Sequence, residues 1–207
     1  MHHRGVACTM AVARNRKGII RAILAGGIVL GVGAAVTLAA WNASEFATGT
    51  FQAGTFTIEG ATDGATYSAH PAAPGATLAF STGVSNLSPS DTTYAAYWVR
   101  LGAGTTSNAT VTVQSGGTTG TVTNLTYTMI QLAATGTCNA SATGTTLVSG
   151  GTSVGTVPAS VTFPLSAGSP NTQAGTAVQV CIIVTAGANL QQGQSGAATW
   201  QFAAQSN

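Results

Sequence analysis

Beyond residue 40, few side chains are equipped for acid–base, metal or nucleophilic chemistry: His70, Cys138 and Cys181, the acids Glu45, Glu59, Asp63 and Asp91, and Arg100, among abundant serine and threonine. A zinc peptidase needs two histidines one helical turn apart with a glutamate to polarise water, as in His-Glu-x-x-His, and that spacing does not occur. Two cysteines and one histidine also fall short of the four ligands of a structural zinc. His70 lies in Ser68-Ala-His-Pro71, a turn-like context that reads as a surface loop. A Ser-His-acid triad through His70 needs a serine placed as nucleophile, and no serine is singled out for that role. Glycoside hydrolysis needs two convergent carboxylates. Asp63, between Gly60 and Gly64, and Asp91, after Ser88-Pro-Ser90, read instead as turn residues. The expectation is a protein with no catalytic residue, no cofactor and no metal site.

The elements that would position such residues begin with a sharp division of charge. Charged residues make up 5% of the chain, against roughly 25% in an ordinary soluble domain. Arg4, Arg14, Arg16, Lys17 and Arg21 all precede residue 22, whereas the remainder holds Arg100 against four acids, a formal −3. One arginine cannot form a phosphate-binding patch, which excludes nucleic acid as a partner.

Residues 14 to 40 have the layout of a secretory signal: a basic start, an apolar run from Ala22 to Ala40, and small residues at its end. Cleavage between Ala40 and Trp41 is expected, with Met10 as a conventional start. The same 19 apolar residues are long enough to remain as a membrane anchor, the one membrane role foreseen. The two domains are thus a signal segment, 1–40, forming an N-terminal helix, and a secreted body, 41–207. In an oxidising exported setting, a disulfide between Cys138 and Cys181 follows.

The body is dominated by Thr, Ala, Gly, Ser and Val. Branched Cβ atoms suit a pleated surface, and glycine with Asn or Asp breaks the runs into turns. Strands are expected over Phe46–Ile58, Thr77–Ser81, Thr93–Leu101, Ala109–Val113, Thr121–Leu132, Thr145–Val148, Ser160–Leu165, Ala177–Thr185 and Gly196–Ala203. Breakers between them include Gly116–Gly120 and Gly150–Gly155. Nine short strands with regular turn signals predict an all-β fold, a single β-sandwich of jelly-roll type. Of the adjacent pair Tyr97 and Trp98, one must point inward. Arg100 reads either as an assembly contact to an acid on another subunit or as an outward strand residue covering Tyr or Trp surface.

At the junction the chain reads Ala40-Trp-Asn-Ala-Ser-Glu-Phe-Ala-Thr-Gly-Thr-Phe-Gln-Ala-Gly-Thr-Phe-Thr-Ile-Glu-Gly60. This resembles the start of proteins exported through the SipW type of signal peptidase, the TasA and camelysin family. Asn86-Leu-Ser-Pro-Ser-Asp91 resembles that family's proline turn, and the segments Cys181–Thr185 and Leu190–Phe202 resemble the ending of its actinobacterial members. The resemblance covers roughly residues 20 to 204, and the junction is its specific part. It implies a secreted or cell-surface jelly-roll subunit of extracellular fibres or biofilm matrix, processed by a SipW-type peptidase, in which the N-terminal strand of one subunit completes the sheet of its neighbour. The camelysin-like peptidase classification meets no matching zinc motif here.

The candidate donor strand is Phe46, Thr48, Phe51, Thr55, Phe56 and Ile58, with no proline to interrupt hydrogen bonding. Two readings stand open, a donated strand and a first strand kept in its own domain. A homopolymer built through strand exchange is the expected partner relation. The alternative is a monomeric surface adhesin or binding module, with Tyr97 or Trp98 as its sugar-stacking residue.

Overall fold

The computed structural model describes residues 17–24, 27, 44–81, 84–133 and 135–207. These fall into two compact units, one ending at Phe51 and one spanning Gln52–Asn207. In the first, residues 17–24 and 27 are helical, with Ile19, Ile20, Ile23 and Leu24 exposed. No helix among the described residues is long and apolar enough to cross a membrane. The expected cleavage site, Ala40 and Trp41, lies outside the described residues.

The second unit is built from eight strands: β1 (Ile58–Ala61), β2 (Thr92–Leu101), β3 (Ala109–Gly120), β4 (Leu125–Leu132), β5 (Thr145–Ser153), β6 (Thr162–Leu165), β7 (Val178–Ala186) and β8 (Gly196–Ser206). They form a five-stranded antiparallel sheet, β1-β2-β7-β4-β5, and a three-stranded one, β6-β3-β8. Alternation explains how they stack. In β3, Ala109, Val111 and Val113 are buried while Thr110 and Thr112 are not, and in β6, Phe163 and Leu165 are buried between outward Thr162 and Pro164. These residues meet Val99, Leu101, Tyr127, Met129, Val180 and Ile182 of the larger sheet in one core, so the fold is an all-β sandwich.

Central β7 departs from alternation. Six consecutive residues, Gln179 to Val184, are buried, because the outer face of its sheet is also covered. There Cys181 and Ile183 join Ile130 and Leu132 in a second cluster, with Cys138 and Ala142 of the following loop packed on it. Cys138 and Cys181 lie at disulfide distance, their Cα atoms 5.3 Å apart. The pair therefore fastens this loop across the back of the sheet.

Three strand expectations are corrected. Residues 44–54 belong to no strand, and regular pairing starts only at Ile58, opposite Leu101. Thr77–Ser81 has strand-like alternation but no ladder. The supposed breakers at Gly116–Gly120 and Gly150–Gly155 do not end their strands where expected. β3 runs through to Gly120 against β8, absorbing its glycines in a bulge between Ser115 and Gly117, where Gly117 takes φ 98°. β5 likewise continues to Ser153, paired with Thr126.

Candidate functional site

The two edges of the small sheet are β6 and β8, and β8 is the longer, at 11 residues. Its one backbone ladder is with β3, from Ser206 opposite Ala109 to Gly196 opposite Gly120. Along the other side of β8, no described residue completes a ladder. The inward side chains of β8 reflect that vacancy beside the strand. Ala198, Trp200, Phe202 and Ala204 pack on the core yet stay only partly buried, whereas Val113 and Val111, the β3 partners of Phe202 and Ala204, are at most 2% exposed.

A groove of about 760 Å³ follows this edge, floored by Tyr97, Val99, Ile182 and Val184 of the larger sheet and by residues 196–204 of β8. Aromatic rings bridge the sheets along it: Tyr97 lies 5.4 Å from Phe202, and Trp200 lies 5.5 Å from Tyr127 of the buried core, centroid to centroid. Burial pushes the Tyr97 hydroxyl above its ordinary value of 10.0, so it stays neutral at any physiological pH. No charged side chain occurs in β3, β6 or β8. The edge therefore lacks the lysine gatekeepers that normally blunt a free strand.

The six candidate donor residues separate into two groups. Phe46 and Phe51 are 92% and 98% exposed, and with Thr48 they lie in backbone without regular structure. Thr55 and Ile58 instead join the sandwich, with Phe56 between them still exposed: Thr55 forms an isolated bridge to Thr105 and hydrogen-bonds Gly104, Thr57 receives the Gly102 N–H at 3.0 Å, and Ile58 opens β1.

On the outer face of the larger sheet, Arg100 is held within its own chain. It donates to Glu59 Oε2 from Nε at 3.0 Å and Nη2 at 2.9 Å, across the Glu59–Arg100 register pair of β1 and β2. Its guanidinium also lies 3.8 Å from the Tyr67 ring centroid. Burial raises the Tyr67 hydroxyl, and the Arg100 charge opposes that shift. Tyr97 is the inward member of its pair. Trp98 faces outward beneath the turn at Gly64, where an added Cβ would meet the indole at 3.0 Å and φ is +69°.

The residues considered for catalysis have local partners. Asp63 Oδ1 accepts the Thr66 and Ala65 N–H groups at 2.8 and 2.9 Å, which lowers its pKa from 3.8, and Asp91 Oδ2 accepts the Ser88 N–H at 2.8 Å. Both acids close turns. His70 is exposed, its Nε2 3.2 Å from Ser68 Oγ. Among the described residues, no three His, Cys, Asp or Glu side chains group as metal ligands. One pattern escaped the sequence reading: Gly151-Thr-Ser-Val-Gly155 fits Gly-x-Ser-x-Gly. A nucleophile elbow needs a strained turn from strand into helix. Ser153 instead ends β5 in a turn without a helix, and the positive φ values fall on Gly151 and Gly155.

The free β8 edge was not legible as a site, since its sequence signals a strand but not the lack of a neighbour. Comparison with protein-family models, with curated proteins and with solved structures finds no match.

Proposed function

We propose that this chain is a secreted structural subunit that polymerises by strand addition, the segment before Thr55 of one copy pairing with the β8 edge of the next. The carrying observation is the incomplete small sheet: an uncharged 11-residue strand with a free edge and half-covered Trp200 and Phe202. The strand order also supports the finer fold. In an eight-stranded jelly roll of order 1-8-3-6 over 2-7-4-5, β6-β3-β8 and β2-β7-β4-β5 fill seven positions, and the empty one lies beside β8.

The donor suits that position. Extended, Ala47, Gly49, Phe51 and Ala53 share one face, an apolar one for the groove that ends at Glu45, and Thr48, Thr50 and Gln52 share the other with Phe46. Eleven residues, 44–54, extend to about 36 Å, the length of β8. Main-chain hydrogen bonds supply affinity and the single large anchor, Phe51, sets register.

The reading of this polymer as an extracellular surface fibre or matrix component, processed by a SipW-type peptidase, draws its support from the signal-like N-terminus and from the junction motif's resemblance to the TasA and camelysin family. The test is negative-stain microscopy and sedimentation of the secreted chain, with fibres expected. The second reading, a monomeric adhesin, is tested at Trp98, which faces outward but is half-covered by the Gly64 turn: it predicts a glycan-array signal lost in Trp98→Ala with folding intact.

A further inference from the structure

One wall of the groove beside β8 is built by another segment of the same chain. Ala76, Leu78 and Phe80 are half-buried and line it, whereas Thr77 and Ala79 between them are exposed. Leu78 and Phe80 pack against the main core. This is the alternation of a strand buried on one face, in the stretch that leads toward β2. The backbone does not follow. From Ala76 to Ser81, the segment's one backbone hydrogen bond among the described residues is at its end, Ser81 N–H to Tyr94 O at 2.8 Å, reinforced by Ser81 Oγ, which accepts the Tyr94 N–H at 3.2 Å and lies 3.1 Å from Thr93 Oγ1.

We infer that Ala76–Ser81 is a self-plug: it shields the groove in the free subunit through the Leu78 and Phe80 side chains and is displaced when a donor strand from a second copy pairs with β8. The inference rests on the strand-addition reading above and supplies its regulation. The physical basis is an asymmetry between the two occupants. The plug contributes apolar side chains to the groove while leaving the β8 backbone groups without partners, whereas a donor offers both side chains and a ladder. The plug is therefore sufficient to cover apolar surface before assembly and is the weaker occupant once a donor arrives. Because a binding-competent state that is only fractionally populated lowers apparent affinity by that fraction, the plug also suppresses premature association during export.

The test uses the full chain carrying Phe51→Asp, which removes its own donor anchor, titrated with a synthetic peptide of residues 44–57. Leu78 methyl resonances are followed by NMR and peptide association by fluorescence anisotropy. Expected are peptide binding, movement of the Leu78 methyl resonances to solvent-exposed values, and association about tenfold faster when Phe80→Ser is added. Binding with the Leu78 resonances unmoved overturns displacement and leaves strand addition standing. No binding to either protein overturns both. Should Phe80→Ser fail to fold, the Leu78 resonances of the Phe51→Asp protein decide alone.

Discussion

Tyr97 of β2 and Phe202 of β8 meet across the two sheets with ring centroids 5.4 Å apart and planes inclined at 35°, and both remain partly open to solvent. An aromatic contact of this kind ordinarily belongs in a closed core. Here it lies at the sandwich's open side, because no strand among the described residues lies beyond β8 to cover it. A lysine at Ala203, in the register of outward Thr112, places a charge on that edge without entering the core. Ala203→Lys should keep its thermal midpoint within a few degrees and lose fibre formation, measured by calorimetry and light scattering.

Gly60 is buried on β1, and an added Cβ there would collide with the Tyr97 hydroxyl. Gly60→Ala should cost about 1–3 kcal/mol in denaturant unfolding through overpacking. Adding Tyr97→Phe removes the oxygen but leaves the ring Cζ in collision with the added Cβ, so the double variant should recover only part of that loss, and the cycle isolates the hydroxyl's share.

Cys138 and Cys181 are separated by 43 residues. Loop-closure entropy for that length gives about 4 kcal/mol. Reduction, or replacement of both by serine, should lower the unfolding temperature by roughly 10 °C. The loop after β4 should then become protease-sensitive before the rest, since Ile130, Leu132 and Ile183 lose their cover.

Asp63 has its folded pKa lowered chiefly by the hydrogen bond from the Thr66 N–H, then by that from Ala65. The turn's gain from this carboxylate is therefore fully present above the unfolded value near 3.8 and disappears as pH falls through the lower folded value. A carboxyl-carbon NMR titration should show Asp63 titrating below 3.8, and Asp63→Asn should weaken the pH dependence of the amide shifts of Ala65 and Thr66.

Much of the sandwich was legible because burial on one face enforces period two, as in Ala109, Val111 and Val113 or Phe163 and Leu165. The same logic misassigns segments whose pattern is right but whose partner is absent. Phe46–Gly54 and Thr77–Ser81 both have strand chemistry, and neither has a ladder, because pairing depends on a neighbour that local sequence cannot name. Conversely, Gly116 and Gly117 look like a break yet lie in β3, where the β8 backbone holds them. Outer-face cover was also invisible locally: unbroken burial along Gln179–Val184 depends on a loop about 40 residues earlier. The Cys138–Cys181 pairing was within reach because only two cysteines follow residue 40. The free β8 edge was not, since it is a property of sheet order.

The most direct measurement of the central claim is analytical ultracentrifugation, paired with negative-stain microscopy, of the purified chain from Trp41 onward and its Phe51→Asp variant. Phe51 is 98% exposed, so the variant should unfold at the same temperature as the parent. Fibres from the parent and a monodisperse monomer from Phe51→Asp are expected. A parent that stays monomeric at high concentration across pH and salt, or a Phe51→Asp chain that polymerises as well as the parent, would contradict strand addition at β8.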